Sequence, residues 1–261
     1  MGTWSTEFFN IARYAPMTPA AALRSIVERD LALDAAERSP KVVYFPPLAD
    51  GPVWWVTLQN ETLVIPEHIA VMIAPGAMIG ALGSRSRVSI YGELLAPIGQ
   101  IFPSRTHPPD GFAGADVGQV ELISPRLEAL YPEWWGGGVD LSPDADSGAM
   151  EEVVRVADLM AVLVGRTPVI ELLGRYRLNR SLRLLQEPGG AERRSLEFRG
   201  RSGGEDDATF SAADDFVGET LFDVGPFEGR LLCRNVRFDG RFGVRACVRV
   251  MARPAQGLSD T

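Results

Sequence analysis

Between residues 41 and 95 the chain consists of short apolar runs separated by turn residues, and this spacing constrains the fold more than any other feature. A βαβ fold needs a helix at each crossover, and gaps this short have no room for one. A chain that coils, with three short strands per turn, fits the spacing, and Leu63 to Val88 spans the 25 positions of one such coil. The predicted strands are 41–45, 53–58, 62–65, 69–73, 77–79, 87–91, 93–95 and 119–123.

A second series of runs follows the same plan as the first. Thr18-Pro19 supplies a helix N-cap and a first-turn proline, and the apolar spacing predicts a helix from there to about residue 38. A second helix is predicted at about 149–164, before strands at 169–173, 176–178, 181–185, 195–199, 220–224, 231–238 and 246–251. A helix followed by strands in each half indicates an internal repeat, the way in which solenoids are built.

This plan predicts four segments. They are an N-terminal arm and capping helix over 1–40, a first β-solenoid segment over 41–130, a linker and capping helix over 131–165, and a second β-helix segment over 166–261.

Two stretches carry a resemblance to a known family. Residues 130–160 read LYPEWWGGGVDLSPDADSGAMEEVVRVADLM, and residues 169–184 read VIELLGRYRLNRSLRL. They resemble the opening of pectate-lyase-superfamily domains, and TLVIPEHIAVMIAPGAMI at 62–79 is similar to the small solenoid that precedes such domains in tail-spike-like surface proteins. The resemblance covers roughly residues 41–251. It implies an all-β fold, a right-handed parallel β-helix with short flanking or capping α-helices, and a role with polysaccharide.

The chain departs from the enzymes of that family. An Asp-Gly-x-x-Asp-Asp pattern is expected before the second helix, and Asp140 to Asp146 read DLSPDAD instead. The polygalacturonase set of Asp pairs, His-Gly and Arg-x-Lys is not matched, since His68 and His107 are the only histidines and both precede the second series. No catalytic arginine motif of the pectate-lyase kind is found either.

Charge and apolar content exclude several classes of protein. The net charge is −8 with a pI near 4.9, whereas nucleic-acid binding needs clustered Lys and Arg. No apolar stretch reaches the roughly 18 residues of a membrane span, and the first residues do not resemble a secretory signal, so the location stays open. Cys233 and Cys247 are expected to be small buried hydrophobes, with a disulfide between neighbouring coils as the alternative.

The densest carboxylate cluster is Glu205, Asp206 and Asp207, followed by Asp214 and Asp215 in the same predicted loop. Paired carboxylates hydrolyse glycosides, and several hard oxygens bind Ca²⁺. A solvated acidic loop explains the same run without any ligand. No metal-ligand spacing is present elsewhere, and no cofactor is predicted.

Two tryptophan pairs are candidate sugar-binding platforms, because an indole face packs well on the apolar face of a pyranose. Alternation along a strand sends one ring of Trp54-Trp55 inward and leaves the other outside. Trp134-Trp135 lies in the linker, where sealing an end of the solenoid is the favoured interpretation.

Two functions remain in competition. The favoured one is a non-catalytic β-helix module of a surface or spike-like protein, which binds polysaccharide or acts as a spacer, and which forms a homo-oligomer such as a trimer. The alternative is a lyase or glycoside hydrolase that uses the acidic loop on acidic polysaccharide.

Overall fold

A computed structural model describes residues 6–34, 38–103, 116–138, 142–184, 194–201, 208–225, 229–240 and 244–250. Within these ranges the chain forms seventeen strands, two α-helices and two short 3-10 helices, so it is mostly β.

The two helices begin at proline-containing N-termini. Helix α1 (Pro19–Leu31) is capped by Thr18, whose Oγ1 accepts a hydrogen bond from the Ala21 N–H at 3.2 Å. It ends earlier than predicted, and its buried face includes Leu23 and Ile26. Helix α2 (Pro143–Leu163) begins six residues earlier than predicted, because Pro143 takes the first helical turn, where its missing N–H costs nothing.

Most strands of the first half pair with the strand that lies three strands further along the chain. Strand β2 pairs with β5, β3 with β6, and β4 with β7; β5 then pairs with β8, and β7 with β9, while β1 lies beside β2. Their bounds are β1 (Glu7–Asn10), β2 (Lys41–Phe45), β3 (Val53–Thr57), β4 (Thr62–Ile65), β5 (Ile69–Ile73), β6 (Met78–Leu82), β7 (Arg87–Ile90), β8 (Leu94–Leu95) and β9 (Gln119–Leu122).

The second half has longer strands and the same kind of pairing. Strand β11 lies between β10 and β13, and β13 pairs with β15; β12 pairs with β14, which carries β16 and β17 on its other side. The bounds are β10 (Ala129–Leu130), β11 (Val169–Leu172), β12 (Arg175–Leu184), β13 (Arg194–Gly200), β14 (Ala208–Val224), β15 (Gly229–Arg234), β16 (Val236–Asp239) and β17 (Ala246–Val250).

Every strand ladder in the described residues is parallel, and the ladders make five sheets of two to four main strands. The predicted class, mostly β with parallel strands and two helices, is therefore confirmed. No one of these sheets closes into a coil, so the pairing does not by itself establish a β-helix.

One hydrophobic cluster runs from Ile11 to Val224 and includes side chains of both halves. In the second half an aromatic group fills it. The rings of Phe210 and Phe222 lie 4.8 Å apart between centroids, and Phe210 also contacts Tyr176, Phe198 and Phe238. These rings come from β12, β13, β14 and β16, with two of them on β14, and they pack together in the core.

A buried charge pair attaches α1 to the first strands. The Asp30 carboxylate is fully buried, and its Oδ1 lies 2.5 Å from Nζ of Lys41, which is itself 4% exposed; His68 Nε2 contacts the other carboxylate oxygen. Burial alone would raise the pKa of Asp30, but hydrogen bonds and charge from Lys41 and His68 outweigh it and hold the pKa below its usual value.

Two predictions about the second half are wrong. Residues 208–218 were expected in a loop, but they belong to β14, whose pairing with β12 shifts register twice. At 213–216, and again at 218–221, β14 has four residues where β12 has one. The backbone of β14 bends outward at these two places, because β12 is too short to match the additional residues. Both cysteines are free, and Cys233 is exposed instead of buried, because β15 is the last strand of its sheet.

Candidate functional site: an aromatic groove

A groove of about 670 Å³ lies where the first and second series of strands meet. We call it the aromatic groove, because its wall includes the rings of Tyr131 and Trp134. Its charged residues are three arginines and three glutamates, namely Arg126, Arg166, Arg199, Glu93, Glu128 and Glu171. This volume falls within the range of small-molecule sites in proteins.

The YPEWWGGG segment positions both rings. Tyr131 precedes a 3-10 helix (Pro132–Trp135), and its backbone carbonyl accepts a hydrogen bond from the Trp134 N–H at 3.0 Å. The Trp134 indole N–H donates to the Pro97 carbonyl at 3.1 Å, and the two rings meet edge to face at 5.1 Å. Gly136 ends the turn at φ 88°, a left-handed conformation that favours glycine. The two rings are therefore held in a fixed relation.

Below the groove, Glu133 is buried against strand β12. The Tyr176 hydroxyl donates to Glu133 Oε1 and accepts from the Leu173 N–H at 3.1 Å. Burial raises the pKa of Glu133; the Tyr176 hydrogen bond offsets part of this, and the charge of Asp146 adds to it. Desolvation and the neighbouring Glu133 charge likewise raise the pKa of Tyr176 far above its ordinary value.

Asp146 connects the glycine run to β12. Its carboxylate accepts hydrogen bonds from the Gly138 N–H at 2.5 Å and from the Arg177 N–H at 2.7 Å, and the residue is fully buried. Together with Glu133 it forms a rigid support behind the aromatic rings.

The groove offers charged and neutral polar groups to a ligand. Glu171 on β11 lies 3.4 Å from the guanidinium of Arg199 on β13, and Arg166 donates to the Pro125 carbonyl at 2.8 Å. Burial and then the charges of Glu171 and Glu133 raise the pKa of Tyr131, so its hydroxyl remains a neutral donor at physiological pH. The groove thus combines an aromatic wall with planar hydrogen-bonding side chains.

A larger groove of about 1180 Å³ lies along α2 between strands of both halves, and we call it the helix groove. Its charged residues are mostly paired with one another. Arg180 binds both oxygens of Glu151 at 2.7 and 2.9 Å and Asp144 at 2.6 Å, and Arg249 binds both oxygens of Asp223 at 3.0 and 2.8 Å. No aromatic side chain lines the described part of this groove. Such internal pairing favours a structural role, holding α2 to the strands.

The predicted platform at Trp54-Trp55 has the expected alternation. Trp54 is buried, donates from its indole N–H to the Pro46 carbonyl at 2.6 Å and meets Phe45 edge to face. Trp55 faces outward and is half-buried, with its ring packed so closely on Gly80 that an added Cβ there would lie 2.5 Å away. Trp54 is therefore a core residue, and one face of Trp55 is already covered. Neither lines the aromatic groove.

The second pair lies in the core. Trp134 is 5% and Trp135 is 2% exposed, and Trp135 packs on Phe102 at 5.2 Å. Full sugar-stacking faces are not available on either ring, and only Trp134 borders a groove. This pair is therefore part of the buried core at the junction of the two halves.

The described members of the predicted acidic cluster, Asp214 and Asp215, line neither groove. Asp206 and Asp207 lie outside the described residues, as does Glu205. Asp214 and Asp215 are exposed on the outward bend of β14. Among the described residues no three Asp, Glu, His or Cys side chains lie close enough together to hold a metal ion, so the Ca²⁺ hypothesis gains no support there.

Sequence reasoning missed Tyr131, Arg126, Arg166, Glu171 and Arg199. Tyr131 lay within the recognised YPEWW segment, so one signal was present. The other four are scattered over 74 positions and meet only through strand pairing, as Glu171 and Arg199 do in register on β11 and β13.

Comparison with protein families, curated proteins and solved structures finds no match for this chain. In the part of the chain that the structure describes, no helix is long and apolar enough to cross a membrane.

Proposed function

We propose that the strands stack as a right-handed parallel β-helix. The partners β2 and β5 are 28 positions apart, and β3 with β6 and β4 with β7 are each 25 apart, which fits one turn of a coil with three strands. Consecutive layers place apolar side chains above one another in the core. The right hand follows from the general preference of parallel crossover connections.

We further propose that the chain is a non-catalytic polysaccharide-binding module and that the aromatic groove is its binding site. The observation that carries this proposal is the joint presence of Tyr131, Trp134 and six charged side chains in one groove. A sugar ring has apolar C–H faces and a rim of hydroxyls. The Tyr131 ring, with Trp134 packed against it, would pack on such a face, while guanidinium and carboxylate groups hydrogen-bond the hydroxyls.

The carboxylates of the aromatic groove are poorly placed for glycoside hydrolysis. A glycosidase needs one carboxyl that stays protonated near neutral pH, which requires shielding from water. In the aromatic groove Glu93 and Glu128 are exposed, and Glu171 is paired with Arg199 at 3.4 Å. The exposed Asp214 and Asp215 are no better shielded. These environments favour binding over hydrolysis.

The test is a binding assay on a panel of neutral and acidic polysaccharides, followed by calorimetry with the best oligosaccharide. We expect Tyr131→Ala to weaken binding about tenfold or more, equivalent to 1.4 kcal/mol, and Tyr131→Phe to retain most of it. Phe8→Ala is the matched control, since Phe8 is 57% exposed, packs on Tyr44 and lies outside the groove.

Two results would contradict this proposal. One is the absence of binding to any polysaccharide, or binding that Tyr131→Ala leaves unchanged. The other is release of new reducing ends or unsaturated products during incubation with the same panel, which would make the chain an enzyme.

A further inference from the structure

The last layer of strands has unpaired edges. Within the described residues, β15 pairs only with β13, and β16 and β17 pair only with β14. The backbone N–H and C=O groups on the far side of these three strands have no strand partner in those ranges. Such edges are templates for the addition of another strand.

Apolar side chains that lie in register on neighbouring strands form rows through the core, and these rows become exposed at the last strands. Leu184, Val224 and Val250 follow one another in register on β12, β14 and β17, and they are 0%, 6% and 71% exposed. In the neighbouring row Phe222 is fully buried, whereas Val248, which pairs with it, is 37% exposed. At the opposite end α1 covers the strands, with Leu23 fully buried. The chain thus covers one end of its core with its own helix and leaves Val248 and Val250 exposed at the other.

The charge of this layer differs in sign from that of the whole chain. Residues 229–240 and 244–250 contain five arginines and one aspartate, whereas the chain carries −8. On the outward face, Arg183, Asp223 and Arg249 lie in register on β12, β14 and β17, so basic and acidic side chains alternate from strand to strand. Three of these arginines already pair with carboxylates of β13 and β14, as Arg234 does with Glu197, Arg245 with Glu219 and Arg249 with Asp223. Their side chains are still 60%, 82% and 46% exposed, so a further layer that continued the alternation could place a second carboxylate beside each.

We propose that the β15–β17 end binds an acidic segment of a partner protein, which adds β-structure with apolar residues facing inward and carboxylates facing outward. Addition of a strand would satisfy the backbone edges, apolar side chains would cover Val248 and Val250, and the carboxylates would meet the arginines. A second copy whose own β15–β17 end faced this one would bring five arginines against five arginines, so charge favours a different, acidic partner.

The probe is a short synthetic peptide of alternating valine and glutamate, compared with its valine–lysine counterpart. Binding to the full chain is followed by fluorescence anisotropy, and the contacted strands are identified by hydrogen exchange of the β15 and β17 amides. We expect the glutamate peptide to bind at least about tenfold more tightly than the lysine peptide and to slow exchange at these amides.

Two variants test the surface itself. Val250→Asp and Arg230→Glu should each weaken binding of the glutamate peptide about tenfold. Val162→Asp is the matched control, because Val162 is also an exposed valine but lies on α2. Equal binding of both peptides, or no binding of either, would overturn the proposal. Slow exchange in the free chain of those β15 and β17 amides that point away from β13 and β14, or a dimer that protects them, would overturn it as well, because the surface would then be covered already.

Discussion

Substitution of Lys41 by methionine is the sharpest test of how α1 is attached to the strands. Lys41 is the only lysine of the chain, and the substitution keeps a long flexible side chain while it removes the charge. Asp30 would then remain fully buried with the His68 imidazole as its remaining side-chain partner. We expect the variant to fold less stably because this carboxylate loses its closest positive charge.

The magnitude follows from the geometry. At 2.5 Å, with an effective dielectric constant of about 20, the attraction between Nζ and Oδ1 is about 7 kcal/mol before desolvation. The desolvation of two buried ions costs several kcal/mol each, so the intact pair contributes little net stability. Removal of Lys41 leaves the Asp30 carboxylate buried with only the His68 contact, and this should lower the free energy of unfolding by about 3–5 kcal/mol.

Urea denaturation followed by circular dichroism measures the difference by linear extrapolation. The double variant Asp30→Leu with Lys41→Met removes both charges and should be more stable than Lys41→Met alone. Arg24→Met is the control, since the Arg24–Glu61 pair also attaches α1 but is 42% and 54% exposed, and it should cost only about 0.2–1 kcal/mol. A loss below about 1 kcal/mol for Lys41→Met, or a double variant no more stable than Lys41→Met alone, would refute the reasoning.

Further predictions concern stability. Gly92→Ala should cost about 3 kcal/mol or more in urea denaturation, because its Cβ would lie 1.8 Å from a backbone carbonyl oxygen, whereas Gly174→Ala, which meets open space, should stay within about 1 kcal/mol. Phe210→Ala should cost about 3–5 kcal/mol, because this fully buried ring contacts four other aromatic rings. Folding raises the pKa of Glu133 above its unfolded value of 4.5. The protonated side chain therefore stabilises the folded chain fully below pH 4.5, and this part of the free energy of unfolding is lost as the pH rises through the folded pKa. The difference in unfolding free energy between Glu133→Gln and the native chain should therefore move in favour of the variant from pH 4 to pH 8, and a constant difference would contradict this.

Local patterns predicted many of the strands. Short apolar runs bounded by Pro and Gly located β2, β4 and β5 with their observed bounds. They did so because turn chemistry and apolar content are properties of a few neighbouring residues. The alternation of Trp54 and Trp55 followed from the same local geometry.

Prediction failed where a distant strand changes the environment. Residues 208–218 look like a polar loop, yet they belong to β14 because this strand pairs with β12. Cys233 lies in an apolar run and faces inward, yet it is exposed because no described strand follows β15 in its sheet. Neither effect is visible in a window of a few residues.

The sequence by itself determined the mostly-β composition, the positions of many turns and the presence of two helices, because these depend on local conformational preference and on the period of apolar residues. Only the tertiary structure decided which residues share a surface. Parallel pairing brings together side chains about 25 or more positions apart, as it does for Glu171 and Arg199 in the aromatic groove. It also decided that Asp30 and Lys41 are buried together while Val250 is exposed, because burial depends on which layers cover a residue and not on its neighbours in the chain.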